Sequence, residues 1–224
     1  MVNVGADRSP ERARQDYVKV IYQLGQETPV RAAELARHLG VTRASVSKFK
    51  RMLEQERLLQ PSRRPTDALR LTRKGRQLAL RMVRRHRLVE TFLHSTLRVP
   101  LERVHDEAER IEHAISDDIS ARLARFLDNP IADPHGHRIP HGFAKQKKPA
   151  EEALTMTPVG AKIVITSIDD RDAQAVRKLA SLGVLPGMRA VVTASDADRV
   201  QLRAGRRQIA ISAATLRGVR CMRS

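Results

Sequence analysis

Two short amphipathic stretches, VRAAELARHL (30–39) and TRASVSKFKRML (42–53), constrain this chain more than any other feature. Gly40 between them can adopt the left-handed backbone that ends a helix, and Thr42 is a residue type that caps the start of the next. The pattern predicts helix, tight turn, helix. Ala33, Leu35, Ala36, Leu39, Val46, Phe49, Met52 and Leu53 can pack inward, which leaves Arg43, Ser45, Lys48 and Arg51 on an outward, basic face. Upstream, PERARQDYVKVIYQL (10–24) places Val18, Ile21, Tyr22 and Leu24 near helical spacing behind a Ser9-Pro10 start. Downstream, LLQPSRRPTDALRLT (58–72) reads as strand, basic turn and strand, with Arg63 and Arg64 at the tip. A helix pair, a backing helix and a basic hairpin make a winged helix-turn-helix, in which the second helix enters the major groove and the wing follows phosphates. Thr42, Arg43, Ser45, Ser47 and Lys48 are the candidate DNA contacts, with Arg63 and Arg64 on the backbone. The alternative is an ordinary helical hairpin followed by a loop.

Charge favours the nucleic-acid reading. Residues 1–80 carry 17 Lys+Arg against 8 Asp+Glu, residues 81–129 carry 9 of each, and residues 130–224 carry 16 against 8. Aromatics make up 3% of the chain and Trp is absent, which argues against a stacking platform for single strands and for double-stranded DNA. Cys221 is the single cysteine, so an internal disulfide framework and a cysteine-rich zinc site are excluded. The start, MVNVGADRSPERARQ, lacks an apolar signal region, and no run approaches the roughly 20 apolar residues of a membrane span. The expectation is a soluble cytoplasmic protein without a membrane partner.

The electrically neutral middle holds the chemistry. A long helix is expected from Leu71 through LTRKGRQLALRMVRRHRLVETFLHSTL, and a second through LERVHDEAERIEHAISDDISARLARFL (101–127). Their apolar faces, Leu78, Met82, Leu88, Val89 and Phe92, and Ile111, Ile115, Ile119 and Leu123, exceed what one hairpin can hide, which predicts a homodimer. At about 100° per residue from His105, Glu109 lies near 40°, Glu112 near −20° and His113 near 80°, so all four share one face. His86 and Glu90, four apart on the preceding helix, share another. Asp16 would face the same region if the first helix packs beneath. Arg84, Arg85, Arg103 and Arg110 could neutralise these carboxylates. A metal ion explains better why imidazoles accompany them, since neutral imidazole is a ligand but a poor counter-ion.

Residues 133–158 are rich in Pro, Gly, His and Lys and read as loop and linker. Beyond them AKIVITSI, RAVVTASD, RVQLRAG, RRQIAISA and RGVRCM read as short strands, with one helix around 170–182. The fold class expected is α+β: a winged helix-turn-helix (1–75), a helical metal-binding and dimerisation domain (76–140), a linker (141–158) and a small SH3-like β-barrel (159–224). Enzymatic readings find little support, because no Gly-rich phosphate loop, nucleophile elbow or HExxH motif accompanies the donors. A metal-independent nucleic-acid binder remains the second alternative.

The segments ARQDYVKVIYQL, VRRHRLVETFL, VHDEAERIEHAIS and DPHGHRIP, together with the winged helix and the SH3-like, FeoA-type end, resemble the DtxR/MntR family of metal-dependent transcriptional repressors over nearly the whole chain. The resemblance implies a primary, activating metal site of Asp16, Glu109, Glu112 and His113. It also implies an ancillary site of His86, Glu90 and His105, with Asp172 from the C-terminal domain, or Gln174 by a shifted alignment. In some relatives the ancillary cation takes loop ligands instead, here Asp133 and His135. Iron-responsive members carry a Met and a Cys where this chain has Asp16 and Glu109, so the resemblance implies Mn²⁺, with Fe²⁺ the alternative. Compact manganese members often carry a further Glu where this chain has Lys19. A palindromic operator is the implied DNA partner, since a twofold dimer reads two half-sites.

Overall fold

A computed structural model describes residues 9–26, 28–61, 64, 67–142 and 150–224. They fall into two compact units, Met1–Arg84 with Pro140–Ala144, and Arg85–Ile139 with Lys145–Ser224.

The first unit contains α1 (Pro10–Leu24), α2 (Ala32–Leu39), α3 (Arg43–Gln55) and the opening turns of α4 (Arg73–Ser95). The local signals act as expected. Ser9 Oγ accepts the Arg12 N–H, Gly40 turns left-handed at φ 63° to end α2, and Thr42 Oγ1 accepts the Ser45 N–H at 3.1 Å to open α3. Tyr17, Val18, Ile21, Val30, Leu35, Val46, Leu53 and Leu59 form one buried core. Tyr17 stacks on Phe49 at 4.5 Å between ring centroids, which seats α3 on α1. Gly75 lets α4 press on the preceding loop, because a Cβ there would lie 2.0 Å from the Leu58 carbonyl. Among the described residues the expected wing pairs through a bridge between Leu59 and Leu71, with Gln60 N–H donating to Arg70 O and Thr72 N–H to Leu58 O. On the outer edge of that pairing the Leu69 N–H donates to the Val30 carbonyl at 2.8 Å.

The second unit corrects two expectations. The helix expected over 101–127 is broken into α5 (Leu101–Ile111), a 3-10 turn (Glu112–Ala114) and α6 (Asp117–Phe126). Ser116 is the cause: its Oγ caps α6 by accepting the Ile119 N–H, which draws Ile115 into extended backbone. Residues 152–157, expected in the linker, form β1 (Glu152–Ala153) and a 3-10 turn whose Leu154 is fully buried.

Five further strands follow: β2 (Lys162–Ser167), β3 (Arg189–Ser195), β4 (Arg199–Ala204), β5 (Arg207–Ser212) and β6 (Arg220–Arg223), with α7 (Ala173–Ser181) between β2 and β3. They form one antiparallel sheet in the order β1-β6-β2-β3-β4-β5. The sheet does not hold its core alone. Val89 and Leu93 of α4 and Leu101, Val104 and Ala108 of α5 share a continuous apolar cluster with Leu154, Ile163, Ile165, Val176 and Leu202. That shared core fixes the β module against the helices that carry the donors.

Candidate metal centre and DNA-facing helix

Within the second unit α4 presents His86 and Glu90, one turn apart on its inner face. Glu90 is fully buried, and His86 is 3% exposed. His86 Nδ1 meets Glu112 Oε2 at 2.6 Å, and its Nε2 lies 3.1 Å from Glu90 Oε1 and 3.2 Å from His105 Nδ1. One imidazole therefore joins residues that the family resemblance assigns to separate sites. His86, Glu109 and Glu112 can offer atoms within 4.8 Å of one another, as can His86, Glu90, His105 and Asp170. His113 Nε2 lies 3.4 Å from Glu112 Oε1. Asp16 is buried on α1 in the first unit.

A third set is Glu90, Asp133 and His135, all buried and again within 4.8 Å. Asp133 and His135 come from the loop after α6. His135 Nε2 contacts the Leu101 carbonyl at 3.2 Å. A carbonyl only accepts, so in the neutral ring Nε2 carries the proton and Nδ1 turns a lone pair toward Glu90 Oε1, 3.7 Å away. Neither His135 Nδ1 nor Asp133 Oδ2 makes a hydrogen bond, although both are buried. Asp133 Oδ2 faces Arg87 Nε and His137 Nδ1, each at 3.5 Å. These buried acceptor atoms converge with ion-pair partners only at 3.5 Å, and a cation that joins them offsets the cost of burial, so these residues fit a metal ion.

The arginines considered as alternative counter-ions make their side-chain ion pairs elsewhere, although Arg85 also reaches the Glu112 carbonyl at 3.5 Å. Arg84 donates to the Pro140 carbonyl at 2.8 Å, Arg85 reaches Asp117 at 2.7 Å, and Arg103 and Arg110 both meet Glu107.

Of the C-terminal aspartates, Asp170 rather than the expected Asp172 lies beside these donors. Three aspartates fall within four positions after β2, and their types cannot separate them; the backbone path does. Asp169 is held by Arg171 at 2.5 and 2.8 Å. Asp172 is exposed and caps α7, accepting the N–H groups of Gln174 and Ala175 at 3.0 Å. Gln174 is exposed in the first turn of α7. Asp170 Oδ2 instead lies 3.5 Å from His105 Nδ1 and 3.4 Å from His137 Nδ1. Burial opposes charge on these groups, but their mutual attraction prevails. It pushes His105 up to about 11, through Asp170 and Glu90, and holds Asp170 well below the usual carboxylate range. His137, to which the sequence assigned no role, is raised by Asp133 and Asp170 in the same way. Its spacing of two from His135 was the available signal.

On the first unit, Thr42, Arg43, Ser47 and Lys48 are exposed along the start of α3, and Ser45 is half-buried with its Oγ 3.0 Å from Thr42 Oγ1. Arg64 is exposed, its N–H held by Asp67 Oδ2 at 2.9 Å. Arg63 lies outside the described residues.

Comparison with known proteins bears on the family and the fold. Residues 72–141 match the family model described as iron dependent repressor, metal binding and dimerisation domain, and residues 153–222 match the FeoA domain. The chain is 33% identical over 198 residues to the iron-dependent repressor IdeR of Mycobacterium leprae, covering 82% of this chain and 85% of that protein. It is 35% identical to the diphtheria toxin repressor of Corynebacterium diphtheriae over 126 residues, about half of each chain. Among solved structures, a manganese-dependent transcriptional repressor in complex with manganese superposes with a TM-score of 0.86 at 34% identity, covering 94% of this chain and 100% of that one. The repressor ScaR with bound Cd²⁺ gives 0.79 at 25% identity, covering 94% and 99%.

Proposed function

This chain belongs to the DtxR-type family of iron-dependent repressors, and from that premise we propose that it is a manganese-responsive repressor whose donor residues couple metal supply to operator binding. It is a metal-dependent transcriptional repressor with a dimerisation domain, and not an enzyme. The observation that carries the manganese reading is the donor chemistry. Glu90, Glu109, Glu112, Asp133 and Asp170 supply oxygen, histidines supply nitrogen, and sulfur is absent from every donor group found among the described residues. Cys221 is buried in β6 beside Thr157. Hard, oxygen-rich sets suit Mn²⁺, with Fe²⁺ the alternative.

The primary set is Asp16 of α1 with Glu109, Glu112 and His113, as the family resemblance implies. The second set is Glu90, Asp133 and His135, with His86, His105 and Asp170 beside it. A bound dication supplies the positive charge that lets these carboxylates sit together. Asp16 is the DNA-binding unit's contribution, so the same residues link metal occupancy to the disposition of α3. Thr42, Arg43, Ser45, Ser47 and Lys48 face the major groove of a palindromic operator, and Arg64, with Arg63, follows phosphates. The second copy covers the shallow apolar cleft of about 190 Å³ lined by Phe92, Ile119, Leu123 and Phe126, where Ile119 and Phe126 are exposed. The protein works in the cytoplasm, where its DNA is.

Operator titration by fluorescence anisotropy tests this reading. Mn²⁺ should tighten binding about 10- to 100-fold over EDTA, consistent with a coupling of about 1–3 kcal/mol. Equal affinity in EDTA refutes the coupling, and activation by Fe²⁺ at lower free concentration than Mn²⁺ reassigns the metal.

A further inference from the structure

The loop after α6 carries two imidazoles, and the second set above uses one of them. His135 faces Glu90. His137 lies on the other side of Asp133, its Nδ1 3.5 Å from Asp133 Oδ2 and 3.4 Å from Asp170 Oδ2.

Local geometry fixes this arrangement. Asp133 Oδ1 accepts the backbone N–H groups of both His135 and His137 at 2.9 Å, so the carboxylate cannot rotate and Oδ2 is presented to the rings. Gly136, at φ 88°, lays the loop flat on the end of β2: a Cβ there would stand 2.0 Å from the Thr166 carbonyl. The His135 carbonyl accepts the Ile168 N–H at 2.9 Å. Both histidines are thereby held in register with Asp170, two residues beyond Ile168.

We propose that His137 is a nitrogen ligand of the second cation, joining Asp133 of the loop to Asp170 of the β module through the ion. This rests on the second-site reading given above and specifies its chemistry. With imidazole nitrogen from both His135 and His137, the second site is richer in nitrogen than the set at Glu109 and Glu112. Imidazole favours Fe²⁺, Co²⁺ and Zn²⁺ over Mn²⁺, so the two sites of one chain differ in preference.

The test uses the full-length protein titrated separately with Mn²⁺ and Co²⁺ by calorimetry, with ¹⁴N couplings counted by electron spin-echo spectroscopy of the Mn²⁺-loaded form. His137→Asn should weaken the second ion about 10- to 100-fold, leave the first within about twofold, and remove one nitrogen coupling. His137→Asp, which restores a donor but as oxygen, should recover Mn²⁺ affinity while the Co²⁺ over Mn²⁺ preference drops about tenfold. Unchanged second-ion affinity in His137→Asn overturns the inference. So does lost affinity with an unchanged nitrogen count, which makes His137 a positioning residue. A wild-type chain that binds a single ion overturns the second-site reading itself, a failure visible before any variant is made.

Discussion

The face of α3 and the donor cluster handle charge in opposite ways. Arg43 and Lys48 are exposed on one helix whose caps and apolar stripe are written within 15 consecutive residues, 42–56. Water solvates them, and each acts nearly independently until a polyanion arrives. Glu90, Glu112, Asp133 and His135 are buried, and they come from α4, the 3-10 turn and a loop. Their carboxylates repel one another and depend on shared counter-charges, so the cluster is cooperative where the helix face is additive. The difference teaches that removing a single group should have large consequences in the cluster and small ones on α3.

The largest expected effect tests whether the cluster depends on a distant core. Leu154→Ala leaves a cavity in the apolar cluster shared by α4, α5 and the sheet, and should cost about 2–5 kcal/mol in denaturant unfolding. If it costs under 1 kcal/mol, the β module is not what fixes Asp170. Next, Asp170→Asn should weaken metal binding by about 10- to 100-fold while the salt dependence of non-specific DNA binding stays unchanged, since no phosphate contact is removed. A changed salt slope would erase the separation drawn here.

Protonation sharpens the contrast. His105 is raised to about 11 by Asp170 and Glu90, so at neutral pH it carries a proton that ligation through that ring must displace. Raising the pH from 6 to 8 should therefore increase metal affinity, by up to about tenfold per pH unit for each proton released. Calorimetry in buffers of different ionisation enthalpy counts those protons; a pH-independent affinity with no release removes His105 from the ligand set. The smallest effect belongs to α3. Lys48→Ala should weaken operator binding only a few-fold and lower the salt slope by about 1, with metal affinity unchanged.

How much of this was legible in the sequence follows the same division. The helix starts at Ser9 and Thr42, the stop at Gly40 and the basic face of α3 depend on neighbours within a few positions, and they stand where the pattern puts them. The wing was less legible: its described pairing is confined to a bridge between Leu59 and Leu71, and Arg63 lies outside the described residues. The helix break at Ser116 was written locally but masked by the apolar repeat 111, 115, 119, 123, which runs through it. The donor pairs on α4 and α5 could be read from i, i+4 spacing. Which aspartate of 169, 170 and 172 joins them could not, because each has a plausible local use.

The sequence by itself determined the fold class, the family and the types of donor available, since caps, periodicity and side-chain chemistry act over one or two turns. Tertiary structure alone decided the membership of the cluster: that Asp170 enters and Asp172 caps a helix, that His86 bridges the two sets, and that His137 faces two carboxylates. Those outcomes depend on one apolar core shared between helices and sheet and on a loop pressed flat at Gly136. Burial is a property of the assembled chain, and burial is what makes an unpaired oxygen demand a cation.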